Sequence, residues 1–168
     1  GGEGADEVRK PHPFTQLLTE LDKLSSKGLS RLRYTSPHPK DLNDDLIHAH
    51  ATLKTLCNYI HLPIQSGDDR VLSKMNRKYT VKEYRERFNK LRAAVPDMVI
   101  STDIIVGFCS ETDQEFENTY QLFEEMKWDQ AFISRYSERT GTVAAKGFKD
   151  DVPASVKAER WHNLNNLL

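Results

Sequence analysis

Near the middle of the chain an apolar run, Ile104-Ile105-Val106, is framed by groups able to do chemistry: Asp103 before it, then Gly107 and Glu111 after it. A carboxylate entering an apolar strand is costly unless paired, so Asp103 reads either as a ligand contact or as the buried partner of backbone or Arg33. Gly107 allows a backbone to approach a ligand closely. Glu111 stands where a helix begins, and its charge suits the helix dipole better than it suits a ligand. A second polar pair, Gln65-Ser66, precedes Gly67-Asp68. Its amide and hydroxyl suit either a small polar ligand or a strand-end turn in which Ser66 satisfies its own backbone. The two cysteines, Cys57 and Cys109, are too few and too far apart for a metal knuckle, and read as reduced thiols.

The elements that must position these groups alternate. The β-branched run at 104–106 reads as a parallel strand covered on both faces. Thr112 onward reads as an amphipathic helix to Lys127, with Phe116, Tyr120, Phe123 and Met126 on its apolar face. Upstream, the spacing predicts helices over Phe14–Leu24, stopped by Gly28, and over Leu42–Leu53, capped by Asn43. It also predicts strands over Ser30–Thr35 and Tyr59–Ile64, and a helix from Thr80 to Ala94 opened by a Thr80/Glu83 capping box. Downstream come a strand over Gln130–Tyr136 and a final helix over Ser155–Leu168. Such alternation predicts a parallel sheet with right-handed crossovers, and four strands are too few to close a (β/α)₈ barrel. Ligands in such folds sit at the carboxyl ends of the strands, where Asp103, Gly107 and Glu111 lie.

The 168 residues amount to one domain, with 38% apolar content and a net charge of −1, so the chain as a whole has no nucleic-acid footprint. No apolar run approaches the roughly 20 residues of a membrane span, and the expected location is the cytoplasm.

Five blocks occur in order: Arg31-Leu32-Arg33-Tyr34-Thr35-Ser36-Pro37-His38-Pro39, His61-Leu62-Pro63-Ile64-Gln65-Ser66-Gly67, Met75-Asn76-Arg77-Lys78-Tyr79-Thr80, Ser101 to Phe108 with Glu111-Thr112, and Arg135-Tyr136-Ser137-Glu138-Arg139-Thr140-Gly141-Thr142. Together they resemble the radical S-adenosylmethionine methylthiotransferases from about Phe14 to the end of the chain. The Ser-Pro-His-Pro form of the first block is more similar to the branch that modifies tRNA than to the branch that modifies a ribosomal protein. The resemblance implies an α/β fold, a partial TIM-like (β/α) radical SAM barrel with a parallel sheet flanked by helices. Residues 1–13 would be a flexible lead-in, 14–146 the carboxy-terminal part of the barrel, and 147–168 a linker and helix toward a further RNA-holding domain. It also implies S-adenosylmethionine and [4Fe-4S] clusters in the whole enzyme, with tRNA and a reductant protein as partners. The implied reaction is a radical transfer of a methylthio group to C2 of an isopentenyladenosine near the tRNA anticodon.

Under that resemblance Gln65, Ser66, Asp103, Gly107 and Tyr136 are the expected cofactor contacts. His38, Arg77, Lys78, Arg135 and Arg139 are the expected RNA contacts, with His38 also readable as a proton carrier or a plain turn residue. Tyr136 reads equally as core or rim, and the basic residues as solvated surface. The chain departs from the family at several points. Asp103 replaces the first glycine of the Gly-x-Ile-x-Gly-x-x-Glu pattern and Glu111 comes one residue late. Arg135 replaces the usual lysine and Thr140 the usual proline. Above all, no Cys-x-x-x-Cys-x-x-Cys is present, and a [4Fe-4S] cluster needs such thiolates. The expectation is therefore a piece of a longer enzyme that by itself holds no cluster and does not catalyse. The alternatives are a relative acting on a ribosomal protein and a cofactor-free α/β binding or scaffold protein. An ordinary phosphate-binding barrel is disfavoured, since no glycine-rich loop precedes a helix in phosphate-cradling form. A partial sheet also exposes an edge, predicting self-association or coverage of that edge by residues 1–13.

Overall fold

A computed structural model describes residues 12–139 and 141–168. Three strands form a parallel sheet in the order β1 (Tyr59–His61), β2 (Val99–Val106) and β3 (Gln130–Arg135). Around it lie α1 (Pro13–Asp22), α2 (Asp44–Thr52), α3 (Asp69–Lys74), α4 (Val81–Ala94), α5 (Asp113–Met126), α6 (Val143–Gly147) and α7 (Ala154–Asn165). The helix starts follow the sequence. Asn43 caps α2, Thr80 and Glu83 form the capping box of α4, and Gly28 takes the left-handed conformation that stops the first helical segment.

The expected strand over Ser30–Thr35 is reduced to a single parallel bridge, Leu32 to Leu56. Its neighbour is the short segment around Thr55–Cys57, with which Leu32 exchanges both of its backbone hydrogen bonds. Beyond that point a side chain replaces the ladder, the Ser36 hydroxyl donating to the His61 carbonyl at 2.9 Å. β1 stops at His61 rather than Ile64 because Pro63 has no N–H to offer. Pairing resumes at Gln65, which bridges Ile104. The short α3 and α6 had no periodic apolar signal; α3 is set by Asp68, whose carboxylate accepts from the Arg70 and Val71 N–H groups.

The expectation that β2 is covered on both faces also fails. Ile100, Thr102, Ile104 and Val106 are buried on the helix side, whereas Val99 is 41% exposed and Asp103 and Ile105 are half-open on the other. Among the described residues helices cover one face alone, so the apolar run reflects the inward face of an open barrel wall, not a second helical layer. The covered face holds the core, where Tyr84, Phe88, Phe123 and Trp128 pack beneath Ile60, Ile100 and Ile104. α7 lies across β2 and β3, burying Leu164 and donating the Trp161 indole N–H to the Ile133 carbonyl at 2.9 Å.

Candidate functional site on the open sheet face

Parallel register lines up the odd-numbered residues of β1 and β2 and sets Asp103 beside Phe132 of β3 on the uncovered face. There, a chain of hydrogen bonds joins Tyr59, Ser101, His61 and Asp103. The Tyr59 hydroxyl lies 2.9 Å from Ser101 Oγ, Ser101 Oγ lies 2.8 Å from His61 Nδ1, and His61 Nε2 lies 3.1 Å from Asp103 Oδ2. One direction satisfies every group: Tyr59 donates to Ser101, Ser101 to Nδ1, and the Nε2–H to the carboxylate. The Asp103 side chain is still 40% exposed, and Oδ1 has no partner among the described residues. Phe132, 50% exposed, stands with its ring 6.0 Å from that of His61. Asp103 is thus paired by His61 and not by Arg33, whose guanidinium lies over the Tyr59 ring instead.

At the carboxyl end of β2 the other expected contacts gather. Gln65 donates its N–H to the Asp103 carbonyl at 2.9 Å and holds φ at +74°, a left-handed conformation that is strained for this residue type. Its side chain is buried and makes no hydrogen bond to a described residue. Gly107, at φ +70°, ends the strand; a Cβ there would meet Lys157 Cγ at 2.4 Å. Tyr136 packs its ring against Phe108 at 4.8 Å and beneath the Lys157 ammonium. Burial first, then the Cys109 thiol, pushes its hydroxyl up to about 12. Ser66 takes the turn reading: it is fully buried, and its hydroxyl accepts the Asp68 N–H.

The reading of Glu111 as a simple helix-start charge is corrected. It is 5% exposed, accepts the Gly107 N–H at 2.6 Å, and pairs with Arg160 at 2.8 Å. Burial raises its carboxyl above the usual range, opposed by that N–H and by Arg160. The helix start belongs to Thr112 and Glu115, and Arg70 holds Glu115 down to about 2. Arg160 was not anticipated, because nothing local marks a residue in the last helix as the partner of a loop about fifty positions earlier. His61, Ser101 and Tyr59 were also missed as a group, although two of them share the period-2 face of one strand.

The expected RNA contacts fall into two places. Arg135 and Arg139 line one hollow of about 240 Å³ with Ile105 and Tyr136. Arg77 is near enough to His38 to depress its imidazole after burial has done so first, with Lys78 exposed beside it. Thr140 and the lead-in through residue 11 lie outside the described residues.

Residues 6–123 match the family model of the radical SAM superfamily. The chain is 50% identical over 156 residues to the tRNA-2-methylthio-N(6)-dimethylallyladenosine synthase of Opitutus terrae, covering 93% of this chain and 32% of that protein. It is 42% identical over 161 residues to the protein of that name from Aquifex aeolicus, covering 96% and 36%. The chain therefore spans about a third of the length of these relatives. The solved structure of Escherichia coli coproporphyrinogen III oxidase (HemN), described as a radical SAM enzyme, aligns at a TM-score of 0.68. At 17% identity over 90% of this chain and 35% of that one, the likeness is one of fold.

Proposed function

From the premise that this chain belongs to the radical SAM superfamily, we propose that it forms part of the catalytic barrel of a tRNA-2-methylthio-N(6)-dimethylallyladenosine synthase. The observation that supports this reading is identity to proteins of that name sustained over nearly the whole chain. The substrate is then an isopentenylated adenosine in tRNA, and the setting is the cytoplasm.

Family membership implies S-adenosylmethionine and iron–sulfur clusters in the complete enzyme. The cluster does not fit this chain's own residues. Cys57 and Cys109 are two thiols on separate elements, and the described residues contain no group of three or more His, Cys, Asp or Glu side chains able to hold a metal ion. The open face of β2 does suit S-adenosylmethionine. The spare Asp103 oxygen opens on that face, and the strained Gln65, whose amide makes no hydrogen bond to a described residue, bridges the next residue, Ile104; Gly107 instead gives its N–H to Glu111 and packs against Lys157. When bound, that cofactor supplies the one-electron chemistry. The chain's own residues bind and orient: the His61 Nε2–H fixes one oxygen of Asp103, leaving the other for an ammonium or hydroxyl donor. Gln65 offers its amide beside it, and Tyr136 offers an aromatic edge at the next strand end.

The test uses the complete protein containing this chain, reconstituted anaerobically with isopentenylated tRNA that lacks the methylthio group. Nucleoside mass spectrometry should show the gain of one methylthio group. Modification of a ribosomal-protein peptide with unmodified tRNA would overturn the reading.

A further inference from the structure

Two Pro-His-Pro sequences, Pro11-His12-Pro13 and Pro37-His38-Pro39, stand 26 positions apart, and their histidines line the same cavity, of about 350 Å³. Each imidazole caps the turn that follows it. His12 Nδ1 accepts the Phe14 N–H, and His38 Nδ1 accepts the Lys40 N–H, both at 3.3 Å. A ring that accepts at Nδ1 carries its proton on Nε2. Both rings therefore present an N–H and no lone pair, and neither Nε2 has a partner among the described residues.

The remaining walls are apolar and aromatic on one side and acidic on the other. Phe14 and Tyr34 meet edge to face at 5.1 Å, with Pro37 beside them. Tyr34 is held by its hydroxyl, 2.5 Å from His50 Nε2, and His38 is held by its ring contact with Tyr79 at 5.2 Å. Asp41 lines the cavity, and its carboxylate has no partner among the described residues. The Thr15 hydroxyl in the wall is buried without a hydrogen-bond partner among the described residues.

These features weigh against the simpler ligands. A metal ion finds no lone pair on either imidazole, and a phosphate would meet the Asp41 carboxylate in the wall, although Lys40, Arg77 and Arg87 also act on His38, so phosphate is the competing ligand in the test. The ligand they fit is neutral and flat, with acceptors for two N–H groups, a donor for a carboxylate and a face for an aromatic wall. The volume lies at the small end of ligand pockets, enough for a single ring system. We propose that this cavity binds one nucleobase, its edge on His12, His38 and Asp41 and its face against Phe14. Only the source of that base rests on the tRNA reading above: single-stranded RNA is recognised by splaying bases onto aromatic side chains.

The test is an NMR titration of the 168-residue chain with adenosine, with inorganic phosphate, and with an RNA hairpin carrying an unpaired adenosine in its loop. Adenosine should shift the Phe14, Tyr34 and histidine ring signals saturably, and phosphate should not. The variants His12→Asn and His38→Asn keep a side-chain oxygen for the N–H two residues on and lose the outward N–H. Each should weaken adenosine binding about tenfold, the loss of one hydrogen bond, with the sheet amide signals unchanged. Tighter binding of the hairpin than of adenosine makes RNA the source, and equal binding makes it a free nucleoside. Unchanged affinity in both variants, or the same shifts with phosphate alone, overturns the proposal. Failure here leaves the methylthio assay on the complete protein unaffected, so the two readings fall separately.

Discussion

Two hydrogen-bonded polar groups sit along β2, one beyond its carboxyl end and one on its open face, and they end differently. Under α7, Glu111 binds the Gly107 N–H and Arg160, Arg160 reaches Asp113, and Lys157 binds the Tyr136 carbonyl and Asp150. Glu111 and Arg160 are 5% and 4% exposed. On the open face, the run from Tyr59 through Ser101 and His61 ends at a carboxylate 40% exposed, with one oxygen to spare. The first group spends its hydrogen bonds holding the loop after β2 to the last helix. The second spends its bonds aiming one acceptor at a space that no helix of the described residues covers. Glu111 also keeps one oxygen, Oε1, without a hydrogen-bond partner among the described residues, but that oxygen is buried; exposure of the spare acceptor, not its existence or the residue type, separates a fastening from a binding site.

The sharpest way to break that contrast is to cut the fastening. Arg160→Ala should cost about 3 to 5 kcal/mol in denaturant unfolding, since it strands a buried carboxylate. A loss under about 1 kcal/mol would mean the pair is not a fastening. Because burial raises Glu111, protonation relieves the stranded charge, and the penalty should be smaller near about pH 5 than near about pH 8.

Next in size is Glu115, the N3 residue of the α5 capping box. Its carboxyl is lowered from 4.5 to about 2, chiefly by the hydrogen bond from Arg70 and then by Thr112. A folded value below the unfolded one means that its stabilisation is present above about pH 4.5 and is lost as pH falls toward 2. At 1.36 kcal/mol per unit that is about 3 kcal/mol, nearer 2 after allowing for the half-exposed Arg70. Glu115→Gln should flatten the acid limb of a stability-against-pH curve over that window. An acid limb identical to that of the unaltered chain would remove Glu115 from the fastening side.

How far all this was legible depends on range. Thr80 with Glu83, Asn43 before Asp44, and Gly28 after Leu24 are local signals, and each acts where it was read, because a cap is completed within a turn. The apolar run of β2 gave its strand but not its faces, since a barrel wall and a doubly covered strand are both continuously apolar. Glu111 was misread for the opposite reason. Its local setting at a helix start was plain, and its partner was an arginine in the last helix. The expected strand at Ser30–Thr35 shrank to one bridge, because propensity supplies an extended chain while a ladder needs a neighbour of equal length. The candidate site was half visible: Gln65, Asp103 and Gly107 were read from polar residues and a glycine at strand ends, with the family resemblance beside them, while His61 appears only once register places it opposite Ser101.

The smallest expected change in stability sharpens the contrast most. Asp103→Asn leaves an oxygen to accept the His61 Nε2–H, and it alters a side chain that is already 40% exposed. Its unfolding free energy should therefore move by no more than about 0.5 kcal/mol. Nitrogen-15 shifts of the His61 ring should be alike in both proteins, since Ser101 Oγ remains beside Nδ1 and an oxygen remains beside Nε2. In the complete protein the same change should weaken S-adenosylmethionine binding about tenfold, because a charge-assisted hydrogen bond is lost where the ligand is held. A destabilisation above about 2 kcal/mol would make Asp103 a fastening like Glu111. Unchanged cofactor affinity in a stable variant would leave the spare oxygen without a ligand, and the open face of β2 would then have to bind through Phe132 and Gln65 alone.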